Sequence, residues 1–385
     1  TTGIYNTANG LQALYNNTTG NNNTAIGLNA LYNNNADDNT AIGYQALASN
    51  TSGTRNIAIG TALFSNHTGI RNIAIGYLSM NQNSTASANV AVGYASLQNN
   101  STGEGNVAIG YAASAYQTTP NSNTSIGNSA LYLNLTGSNN TAIGNTALYN
   151  NTASNNTAVG YQAGFSNTSG IGLTAIGYQS CYLSSTGDQN TGIGAFSLFA
   201  LTSGANNTAI GRATLFNVGS GSNNTAIGVS ALQFNTASSN TAVGYSALYS
   251  NTSGVGNTAL GFSAGYANTT GTQITAIGWN SLLVNTGSYN TAIGYASQIR
   301  TTTGTSNVSV GSGSMQNNTT GSGNSALGES ALDKNTTGSN NVGFGSYAGG
   351  NNTTGSNNTA IGTTALLYNT ASNNTAVGYQ AGYNL

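Results

Sequence analysis

Every 16 or 17 residues the chain returns to the same five-residue figure: Asn, a β-branched residue, a small residue, an aliphatic residue and Gly, as in NTAIG at 23–27 and NTAVG at 156–160. With the glycine as marker, 23 copies run from Gly10 to Gly378, separated by sixteen intervals of 17 residues and six of 16. The stretch NTASNNTAVGYQAG at 151–164 recurs letter for letter at 369–382, thirteen intervals further on. A unit this short has no room for a helix pair and suits one turn of a solenoid, with short strands joined by polar turns. The pattern predicts an all-β fold, a parallel β-solenoid or β-roll of about 23 coils with 16–17 residues per coil. No interval departs from the period, so a single continuous array over 1–385 is expected.

Within the unit, strand alternation puts the second and fourth slots (Thr, Ile or Val, then Ile, Val or Leu) on one face. The expectation is that this face points inward. The uniformly small third slot, almost always Ala, would then face a neighbouring backbone. The ALY segment that follows is expected to supply a second apolar strand or a corner. A second glycine stands ten residues after the marker (Gly20, Gly53, Gly103, Gly137, Gly170, Gly187), replaced at Ala86 and Pro120, and suggests a backbone position of positive φ. Asn fills the first slot everywhere except at Leu173 and Ile274. Such uniformity predicts a ladder of amides along the stack. Tyr recurs after the marker (Tyr44, Tyr77, Tyr94, Tyr111, Tyr161, Tyr178) and four residues later (Tyr15, Tyr32, Tyr132, Tyr149). The first row is a candidate ligand-contact row for sugars, set against plain stacking along the fibre.

Charge changes the picture by its scarcity. Only 3% of residues are charged and the net charge is −1, which gives no footprint for nucleic acid. The six carboxylates, the single His67 and the single Cys181 share no recurring slot. No catalytic, cofactor-binding or metal site is therefore expected, and the chain does not read as an enzyme. Cys181 occupies a Leu slot and reads as a core residue, while His67 reads as a solvated turn residue. No stretch approaches the ~18 apolar residues of a membrane helix. With so little charge, sugars are candidate solubilisers, and turn sequons at Asn17, Asn50, Asn134, Asn167, Asn251 and Asn335 are candidate glycosylation sites.

The units NTAIG, NVAIG and NVAVG, each followed by a small-residue segment, resemble the YadA-like head repeats of trimeric autotransporter adhesins and related repeats of bacterial surface proteins and phage tail fibres. The resemblance spans all 23 units, although the coil here is longer and no heptad stalk accompanies it. It implies a left-handed roll, a homotrimer, and an extracellular or cell-surface setting.

The core expected per coil is thin, which favours packing against another surface: a homo-oligomer or a laterally packed fibril. The period also survives the join of residue 385 to residue 1, as head-to-tail stacking or a longer array would require. The leading expectation is a structural extracellular fibre or shaft protein. The alternative is an adhesin head contacting glycan or matrix through its Tyr and Asn rows. Ice binding through ranked Thr ranks lower, because the Thr slot is expected to face inward.

Overall fold

The computed structural model describes residues 2–385. The described residues contain no helix; they form 23 strands of three residues each, from β1 (Thr7–Asn9) to β23 (Thr375–Val377), one in every unit of the repeat. The chain makes two compact units, Thr1–Asn190 and Thr191–Leu385. In the first, the strands from β1 to β11 (Thr174–Ile176) pair in chain order, each parallel to the next. In the second, the strands from β12 (Thr191–Ile193) to β23 do the same. Register follows the repeat: between β9 (Thr141–Ile143) and β10 (Thr157–Val159), Thr141 lies beside Thr157, Ala142 beside Ala158 and Ile143 beside Val159. The parallel β-solenoid expected from the period is the fold.

The faces of the strand are the reverse of expectation. Ala142 is fully buried, whereas Ile143 keeps 37% of its surface exposed and Thr141 is half-buried. The Ala slot points into the coil, and the Thr and Ile columns point out. The reason is the narrowness of the coil. At Gly343, which stands in the Ala slot, an added Cβ would lie 2.9 Å from both the Leu332 Cγ and the Ala348 carbonyl oxygen. The backbone that the small slot was expected to meet belongs to the coil's own turn. Ala fills this slot in most coils, and there is no room for a branched side chain.

The segment after the marker is a corner, not a second strand. Thr146 (φ 51°), Leu148 (φ 49°) and Asn155 (φ 63°) all take left-handed backbone, a pattern repeated from coil to coil. This winding sends successive N–H groups to the coils on either side: Thr146 donates to the Asn128 carbonyl (2.9 Å) and Leu148 to the Ala163 carbonyl (3.0 Å). It also turns Ala147 and Leu148 inward, where they complete the core with Ala142. Repeated αL conformation at a non-glycine residue costs energy. The inter-coil bonds and the buried Leu offset that cost.

Two glycine positions have distinct reasons. The marker needs glycine twice over: Gly27 sits at φ +130°, and a Cβ there would fall 2.5 Å from the Gly43 carbonyl oxygen of the next coil. The second glycine was expected to hold positive φ, and it does not. Its constraint is close approach, since a Cβ on Gly20 would lie 2.5 Å from the Ala36 carbonyl oxygen.

Candidate functional site

Asparagine builds two buried columns inside the coil. In the first, the Asn140 side chain bridges coils: its Oδ1 accepts the Asn156 N–H (2.9 Å) and its Nδ2 donates to the Ala153 carbonyl (2.8 Å). The Asn140 N–H itself donates to Oδ1 of Asn123 (2.8 Å). The expected ladder exists, carried by amide-to-backbone bonds. Leu173 and Ile274, the exceptions, are buried in the same slot.

The second column was not read as a column from sequence. It holds the sequon asparagines. Asn50, Asn134, Asn167, Asn251 and Asn335 are fully buried, and Asn17 is half-buried. Each donates from Nδ2 to the glycine carbonyl three residues on, as Asn50 to Gly53 (2.8 Å), Asn134 to Gly137 (2.7 Å) and Asn17 to Gly20 (3.0 Å). Asn167, Asn251 and Asn335 repeat the bond to Gly170, Gly254 and Gly338. Several also reach the preceding amide, as Asn167 Nδ2 does to Oδ1 of Asn151 (2.6 Å). A glycan must be attached at Nδ2, and here that nitrogen is enclosed and bonded. In the folded coil these six asparagines act as turn residues that tie the chain to the glycine carbonyl three residues on. The signal was present in the Asn-x-x-Gly spacing, which the sequon pattern obscured.

The aromatic slots form stacks. In the row after the marker, Tyr94 lies between Tyr77 (ring centroids 5.6 Å) and Tyr111 (5.1 Å), and Tyr161 stacks on Tyr178 (5.3 Å). In the second unit Trp279 leans on Phe262 (5.0 Å), which stacks on Tyr245. Tyr44 has no aromatic residue in the equivalent slot of either neighbouring coil (Leu28, Thr61). A second column runs Tyr132, Tyr149, Phe165 and Tyr182 at 5.0–5.3 Å. A sugar stacks on the face of a ring, and a ring inside such a run has both faces covered. Tyr94 therefore offers its edge and hydroxyl to solvent, while Tyr44 has no ring on either face. Tyr116 meets Tyr132 edge-on (4.9 Å, 71°). The hydrogen bond to Tyr116, followed by burial, pushes the Tyr132 phenol up to about 12.

The outward strand face is uncharged in every unit. Its first column carries Thr, Ile, Val or Ser and its second Ile, Val or Leu, apart from Asn9 and Phe344. Turn threonines are engaged, as Thr152 Oγ1 donates to the Thr168 carbonyl (2.8 Å). The strand threonines stand in a half-exposed row beside the aliphatic column.

The remaining chemistry is scattered. Cys181 is buried in its Leu slot, as expected from its position. His67 is exposed, and its carbonyl accepts the Thr51 N–H (3.0 Å). Arg55 approaches Asp38 at 3.9 Å, both exposed, a pair worth little in water. Among the described residues no three His, Cys, Asp or Glu side chains gather as a metal site, and no helix is long and apolar enough to cross a membrane. No protein-family model matches the chain, and no curated protein is found to be similar to it.

Proposed function

We propose that the chain is a structural protein, a fibre or shaft module that works outside the cell by stacking and self-association. One observation carries this reading: in each unit, the backbone ladder, the buried Asn columns and the ring stacks all run in the same direction, from coil to coil. Interactions aligned this way resist extension and bending, and each added coil extends them without new chemistry. The likeness of the NTAIG units to adhesin head repeats supports the extracellular or cell-surface setting.

Self-association draws its support from the outward aliphatic column. Ile126, Ile143 and Ile176 are each 36–37% exposed in one row, and contiguous apolar stripes of this kind mark interaction surfaces. A homotrimer or a laterally packed fibril would cover it. The test is sedimentation and electron microscopy of the wild-type chain beside a triple Lys variant at Ile126, Ile143 and Ile176. The wild type is expected as elongated oligomers, and the variant as dispersed, folded protein. A wild-type chain that sediments as a 38.5 kDa monomer sinks the self-association half of the proposal.

The outward Thr row also favours a second reading, binding to ice. Four successive strands begin with Thr in the first unit, from Thr124 to Thr174, and seven in the second, from Thr191 to Thr291. Rigid, evenly spaced hydroxyls and methyls on an uncharged face suit ordered water. Absence of thermal hysteresis in the purified protein eliminates it.

A further inference from the structure

The second aromatic column has a missing rung. Tyr15 and Tyr32 stack face to face at 5.4 Å with an interplanar angle of 2°. In the next coil the slot holds Ala48, and in the one after it holds Phe64. A cavity of about 300 Å³ opens at this vacancy, with Tyr32 and Phe64 among its walls and Ala48 between them. Two rungs at about 4.8 Å set the aromatic residues roughly 10 Å apart along the stack, the space of one intervening ring. One face of Tyr32 is taken by Tyr15, which leaves the other for the gap.

The rest of the lining is amide. Gln12, Asn29 and Gln45 occupy the same slot in three successive coils and border the cavity, and no charged residue does. The Asn29 Oδ1 is buried and has no hydrogen-bond partner. A buried, unpartnered acceptor is costly unless something donates to it.

We propose that this vacancy is a binding site for a neutral pyranose ring, the end unit of a glycan, held between Tyr32 and Phe64 with its hydroxyls on the amide row. The chemistry selects the ligand class. The aromatic walls need an apolar slab, the amides need both donors and acceptors around its rim, and the lack of charge disfavours acidic or basic sugars. A ring covered on both faces must carry no axial hydroxyl, so gluco-configured pyranosides fit better than galacto- or manno-configured ones. The aromatic side chain of another protein would fill the slot and leave the amides unpaired. The site lies on the turn, away from the strand face, and does not depend on the fibre reading.

The experiment is a ligand-observed NMR titration of the full chain with methyl β-glucopyranoside, methyl β-galactopyranoside, methyl α-mannopyranoside and p-cresol. Saturable binding of the glucoside at about millimolar Kd is expected, the range open to a ligand of this size. The galactoside and mannoside should bind severalfold more weakly. Ala48→Tyr places in the slot the kind of ring that Tyr15, Tyr32 and Phe64 place in adjoining coils, so it should fold, and it should abolish glucoside binding with an unchanged circular dichroism spectrum. Phe64→Leu removes one wall at little change in volume and should weaken binding roughly threefold to tenfold. No saturable glucoside binding, or binding unaltered in both variants, overturns the proposal. Binding of p-cresol without the glucoside also overturns it and assigns the slot to an aromatic side chain.

Discussion

Replacing Asn140 by Ala tests whether the amide columns hold the coils together. The substitution removes two buried hydrogen bonds, from the Asn156 N–H (2.9 Å) and to the Ala153 carbonyl (2.8 Å). The Ala153 carbonyl keeps the Asn151 amide as a donor (2.8 Å), but the Asn156 N–H is left without its acceptor inside the coil. At about 1 kcal/mol for a typical bond and about 1–3 kcal/mol for an orphaned buried donor, the expected cost is about 2–4 kcal/mol. Asn140→Leu removes the same bonds but buries an aliphatic side chain worth about 1.5–3 kcal/mol. Its net effect should therefore fall within about 1 kcal/mol of wild type, as the natural Leu173 and Ile274 in this slot suggest. Coils interact with their neighbours, so the damage should be local. Hydrogen exchange read at the Asn156 amide should accelerate roughly 30- to 900-fold in the Ala variant, with distant amides unaffected. Exchange at Asn156 unchanged in the Ala variant would refute the ladder as a source of stability. A Leu variant as damaged as the Ala variant would show that burial does not compensate for the lost bonds.

Three further outcomes follow from the geometry. Gly144→Ala places a side chain at φ +138° against the Gly160 carbonyl oxygen, and should cost at least about 3 kcal/mol in urea unfolding. The same change at Gly219, where φ is +57° and nothing lies within 4 Å, should cost only about 1–2 kcal/mol, so equal losses at the two sites would contradict the steric account. The Tyr132 phenol holds its proton more tightly folded than unfolded, about 12 against an ordinary 10.0. Its contribution is therefore intact below pH 10 and is lost as pH rises toward about 12, and Tyr132→Phe should flatten that part of a stability-versus-pH curve.

The repeat, the parallel stacking and the Asn ladder of the first slot were legible in the sequence, whereas that the ALY segment is a corner and not a second strand was not. The first three follow from period and from local chemistry: β-branched residues beside a glycine marker form a short strand, and identical units stacked in phase place identical side chains on one another. The burial of Cys181 was legible for the same reason, since it stands in a Leu slot. Which face of the strand points inward was decided only by the tertiary structure. Alternation pairs Thr with Ile but does not say which side of the strand the chain will curl toward. That choice belongs to the corner, where left-handed residues such as Leu148 fold the turn back so closely that only a small residue (Ala, Ser or Gly) sits beneath it. The placement of the sequon asparagines was likewise not legible: an exposed turn and an inward turn share one sequence pattern, and only the coil's closure encloses Asn134 against Gly137. The empty rung at Ala48 is likewise a property of the stack, because a single alanine becomes a cavity only once Tyr32 and Phe64 are held in place on either side of it.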